Sequence, residues 1–143
     1  MFELFEQYWR NRRVGTLPHR VYPGDVVDFY VRSLIAGKKD RFQKQDITDV
    51  IPRLLTEKSI KLLRFEYAPT PSGLSSGSIA YDLEWKTEEG FFATYDRREF
   101  LITPAGAEHA KEEVKKYCSN DPQGAIKLAE LLGQPIDLLI ERR

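Results

Sequence analysis

A chain of 143 residues with 41% hydrophobic, 12% aromatic and 31% charged residues can bury the core of one α+β domain and is too apolar for an intrinsically disordered segment. Lysine plus arginine equals aspartate plus glutamate at 22 each, so no global field draws the chain to nucleic acid or anionic lipid, and a charged partner must be met by a local patch. One cysteine, Cys118, excludes an internal disulfide, and neither a secretory leader pattern nor a membrane-length apolar run occurs, which predicts a cytoplasmic protein without a membrane span.

From Phe2 to Arg13 the residues Phe2, Leu4, Phe5, Tyr8 and Trp9 fall on one helical face, and Arg10, Arg12 and Arg13 load its end, predicting an amphipathic arm helix. Gly15, Pro18, Pro23 and Gly24 then punctuate an extended connector. Asp25 is placed to cap a helix over Val26 to Ala36, stopped by Gly37. A basic linker follows, Lys38 to Lys44, then a short helix near Gln45 to Ile51 and another begun by Pro52. Over Arg53 to Tyr67 helix and strand compete; helix places Lys58, Lys61 and Arg64 on one cationic stripe, apart from Leu55, Ile60, Leu63 and Tyr67.

After a loop at Pro69 to Gly77, the residues Ile79, Tyr81, Leu83 and Trp85 alternate with polar neighbours, which predicts a half-buried strand. Thr87 to Gly90 turns the chain, and Phe91 to Ile102 returns as the second strand of a hairpin, bent near Asp96, Arg97 and Arg98. Thr103 with Pro104 begins a charged helix, Asn120 or Asp121 with Pro122 begins another that Gly133 ends, and Ile136 to Arg143 supplies a last short apolar helix.

Helix, basic linker, two helices, strand, turn, strand and helix is the order of a winged helix: a helix-turn-helix whose second helix enters the major groove, beside a β-hairpin wing near the phosphates. The stretch Asp96-Arg97-Arg98-Glu99-Phe100-Leu101-Ile102-Thr103-Pro104-Ala105-Gly106 resembles the end of the wing in MarR-type regulators, where an Asp-Arg-Arg precedes a strand and a Thr-Pro-x-Gly helix start. The resemblance implies a dimeric transcription factor whose terminal helices pair and whose wing arginines, here Arg97 and Arg98, touch DNA. The expected fold is therefore an α+β winged helix with extra N- and C-terminal helices, a single domain over 1–143. Its partners are double-stranded DNA and a second copy; Lys58, Lys61 and Arg64 are expected in the groove on periodicity alone.

Other classes have weaker support. The apolar terminal helices suit a non-catalytic protein-interaction module. Glu84-Trp85-Lys86 on a strand has the Glu-x-Lys spacing of metal-dependent nucleases, but alternating charge on a strand's solvent side explains it equally. Ala125 to Ile140 weakly resembles a second helix-turn-helix corner, though two packed helices account for it better. His19 and His109 stand in no metal-ligand or triad spacing, and no phosphate loop or nucleophile elbow is present. No enzyme activity, cofactor or metal is expected.

Overall fold

The computed structural model describes residues 18–71 and 73–133; the expected arm helix and the expected final helix lie outside them. In chain order the elements are β1 (His19–Val21), α1 (Pro23–Ala36), β2 (Arg41–Gln43), α2 (Lys44–Thr48), α3 (Ile51–Thr56), β3 (Ile60–Leu62), β4 (Ala68–Thr70), β5 (Gly73–Ser75), α4 (Gly77–Glu88), β6 (Phe92–Ala93), β7 (Glu99–Ile102), α5 (Pro104–Asn120) and α6 (Pro122–Leu131). The chain is thus α+β, with small sheets set among helices, and no helix among the described residues is long and apolar enough to cross a membrane.

The helix starts follow from local capping chemistry. Pro23 occupies the first turn of α1, and the Asp25 carboxylate accepts a hydrogen bond from the Tyr22 amide, so the helix begins just upstream of the expected Asp25 cap. Thr103 Oγ1 accepts from the Gly106 amide at 3.0 Å, and Asp121 Oδ1 accepts from the Gly124 amide at 3.0 Å. These side chains satisfy amides that the first helical turn leaves without partners. In α1 the buried Val26, Val27, Phe29 and Val31 face the core, and the helix packs chiefly on α5 and α4.

Two expected elements are corrected. The helix over 53–67 ends at Thr56, where Glu57 turns extended and its carboxylate accepts from the Ser59 hydroxyl. Ile60 to Leu62 then pair in parallel with β1, Arg20 opposite Lys61, and Arg64 has a φ of 60°, outside right-handed helix. The strand expected over 79–86 is helix α4, capped by Ser76, whose Oγ accepts from the Ile79 amide. Ile79, Leu83 and Lys86 are its buried residues, at i, i+4 and i+7, whereas Tyr81 and Trp85 are exposed.

The hairpin therefore forms one element later, within the expected second strand. β6 and β7 pair antiparallel, Phe92 opposite Ile102, and β2 pairs antiparallel with the other edge of β7, Phe42 opposite Phe100, giving the order β2-β7-β6. The inward side carries Phe42, Phe92, Phe100 and Ile102. Phe42 and Phe100 stack at 5.4 Å between centroids, and Phe42 meets Phe92 edge-on at 5.2 Å, geometries that add to the burial of each ring. The opposite side, with Arg41, Gln43, Glu99 and Leu101, is exposed.

Candidate nucleic-acid interface

The tip between β6 and β7 is built by short polar side chains. Thr94 Oγ1 donates to the Glu99 carbonyl at 2.7 Å and accepts from the Arg97 amide at 2.9 Å. Asp96 Oδ1 accepts from the Arg98 and Glu99 amides at 2.9 and 3.1 Å. Those amide bonds hold the Asp96 carboxyl below the usual carboxylate range, and they let Arg97 adopt a left-handed φ of 61°. The result is a tight tip with Tyr95, Arg97 and Arg98 exposed.

The start of α2 is tied to this tip and to a second hairpin. The Lys44 amide donates to the Arg98 carbonyl at 2.7 Å, and the adjacent Gln45 Nε2 donates to the Leu74 carbonyl of β5 at 2.9 Å. β4 and β5 lead into α4, where Ser76 Oγ donates to the Glu66 carbonyl at 2.6 Å. Two hairpins are thereby fixed by neighbouring residues of one short helix.

Between α4 and the β6–β7 tip lies an open cavity of about 290 Å³, floored by Phe100 and edged by Lys44, Glu84, Glu88, Thr94 and Arg97. Arg97 Nη1 stands 3.7 Å from Glu84 Oε1 across it. The exposed residues of α4 include Tyr81, Glu84, Trp85 and Glu88, and its one cation, Lys86, is buried.

Of the five residues expected to meet DNA, Arg97 and Arg98 share the tip, with Lys44 of the basic linker beside them. Lys58, Lys61 and Arg64 form no helical stripe: Lys58 follows α3, Lys61 lies on β3, and Arg64 sits beyond it in left-handed backbone. The Glu-x-Lys pair loses its shared face, because on a helix positions i and i+2 diverge; Glu84 is exposed and Lys86 is buried. Among the described residues no group of three or more His, Cys, Asp and Glu side chains could hold a metal ion.

Residue-by-residue reading missed a charged node inside the helix layer. Lys86 Nζ on α4 bonds the Asp82 carboxylate and lies 3.5 Å from Asp28 Oδ1 on α1, and His109 Nε2 on α5 is 3.9 Å from the same oxygen. Burial pushes the Asp28 carboxyl up to about 8 despite Lys86, with Asp82, Glu113 and Asp25 adding to the rise. Burial also raises Asp25 and lowers His109, and Lys86 reinforces the effect on His109, whose ring stacks on Phe91 at 4.1 Å. The spacing of Asp82 and Lys86 was the only local signal for this node. No family model, curated protein or solved structure matches the chain.

Proposed function

We propose that the chain is a winged-helix module that binds double-stranded DNA through the β6–β7 hairpin, as a non-catalytic regulator. The observation that carries this reading is the arrangement α1, β2, α2, α4, β6, β7 with β7 between β2 and β6, and with Arg97 and Arg98 exposed at the hairpin tip. It is supported by the fit of the MarR-like stretch to the elements: Asp96 to Arg98 fall on the tip, Glu99 to Ile102 on β7, and Thr103 to Gly106 on the capped start of α5. In this reading β4 and β5, with the segment from Asp49 onward, are an insertion between the two helices of the helix-turn-helix.

The exposed chemistry of α4 alters what such a module can do. Specific groove contacts rely mostly on arginine, lysine, asparagine and glutamine, and residues 77–88 expose none of these. Affinity is then mainly electrostatic, from Arg97, Arg98 and Lys44 against phosphates, and discriminates weakly between sequences.

A second reading rests on that same surface. Tyr81 is 75% exposed and shares an acidic helix side with Glu84 and Glu88, which repels phosphate and suits a basic protein partner. One titration separates the two. Fluorescence anisotropy with a random-sequence duplex at roughly 50 mM salt should show binding that weakens steeply as salt rises. Absence of any binding there removes the DNA reading and leaves the protein-docking one. Self-association belongs to the proposal as well, and sedimentation of the full chain at tens of micromolar, about the range where weak dimers form, tests it.

A further inference from the structure

We infer that Glu84 is an internal competitor for the duplex, a latch that folds Arg97 back onto α4 in the free protein; this rests on the DNA-binding reading above. Glu84 and Arg97 come from the two elements that edge the open cavity, and their charges meet across it at 3.7 Å. The Arg97 backbone is held by the Thr94 and Asp96 turn independently of the side chain. The guanidinium can therefore swing without rebuilding the tip. Both side chains are more than half exposed, so the pair is weak enough for a phosphate to displace and strong enough to tax binding.

Arg97 has one guanidinium, and while Glu84 holds it a phosphate cannot be neutralised by it. Glu84 also places its own negative charge where the duplex backbone would approach. Removing that carboxylate should free the arginine and raise affinity. Arg98 is held instead through its backbone, its amide donating to Asp96 and its carbonyl accepting from the Lys44 amide.

The test is a double-mutant cycle on the full chain, read by duplex titration at roughly 50 mM salt. Glu84→Gln should tighten binding by about two- to five-fold, and the gain should vanish in an Arg97→Ala background. Glu88→Gln, which removes a like charge one turn along α4 without touching Arg97, should give a smaller gain that persists in that background. An equal gain for Glu84→Gln with and without Arg97 would overturn the latch and leave only a general charge effect. No binding by any variant would overturn the DNA reading and the latch together.

A measurement without DNA keeps the two separable. Amide resonances of Thr94, Arg97 and Arg98 in the free protein should move on Glu84→Gln and stay in place on Glu88→Gln. Unmoved resonances for Glu84→Gln overturn the latch whatever the duplex titration shows.

Discussion

Lys86 on α4 reaches Asp28 on α1, Nζ to Oδ1 at 3.5 Å, with 2% and 7% of the two residues exposed. Around this contact Asp82 and Glu113 act on both Asp25 and Asp28, and Lys86 opposes them at each. Such a node is costly to bury and costlier to break. Removing one member strands charges that the fold has already withdrawn from water.

Lys86→Ala should accordingly lower the unfolding free energy by ~3 kcal/mol near neutral pH, measured by urea denaturation. At lower pH, where the stranded carboxylates take up protons, the deficit should shrink. Asp82→Asn in the same background should recover part of the loss, because the carboxylate that Lys86 bonds is then gone. A loss below ~0.5 kcal/mol, the usual range for surface substitutions, would show that Lys86 is not held as described.

The same node sets a pH dependence that runs through neutrality. The Asp28 carboxyl keeps its proton to about pH 8 in the folded protein, whereas in the unfolded chain it ionises in the ordinary range near ~3.9. Between these values the folded state holds the extra proton, so this contribution is full below the lower value and is lost as pH rises through the upper one. Unfolding free energy should fall with rising pH from about pH 4 to about pH 8, by at most ~1.4 kcal/mol per pH unit for one proton, and level off above that. Asp28→Asn should flatten that limb. His109, lowered by burial, has the opposite sign: its share of stability is lost on acidification, so it opposes the Asp28 slope on the acid side and leaves the slope above neutrality to Asp28.

Gly106 should tolerate no side chain. A Cβ there would stand 1.9 Å from the Phe91 carbonyl oxygen, and that carbonyl accepts from the Thr103 amide at 3.1 Å, so the strand cannot simply retreat. Gly106→Ala is expected to cost ~1–3 kcal/mol through overpacking, read as a lower urea midpoint with unchanged slope.

What the sequence disclosed is what neighbouring residues decide. Thr103 with Pro104, Asp121 with Pro122, and Gly133 announce their helix ends because each acts on backbone within a turn of itself. Ile60 to Leu62 is ambiguous locally and becomes a strand through β1, a distant partner. The misreading of α4 has one cause: Lys86 occupies an inward position that a hydrophobic residue would usually fill. With that stripe disguised, Tyr81 and Trp85 supply an accidental alternation with Ile79 and Leu83, although both are exposed. The Asp-Arg-Arg tip was legible as a motif, whereas the Glu84 contact and the node needed α4 to be a helix.

The replacement of one basic set by another gives the last prediction. Lys58, Lys61 and Arg64 lie on separate turns and strands and have no common helical face. Arg97 and Arg98 share one tip, with Lys44 bound to it through the backbone. If phosphate contact is local to that tip, Arg98→Ala and Arg97→Ala should each weaken binding to all duplexes about equally and reduce the salt slope by roughly one. The triple change of Lys58, Lys61 and Arg64 to alanine should leave the slope within about half a unit, since no phosphate contact in this reading uses them. A slope that collapses with the triple change and survives loss of both arginines would move the interface to the β1–β3 side. Equal loss from both sets would point to diffuse electrostatic attraction, and scrambled-duplex competition at rising salt would then show no contact stronger than the rest.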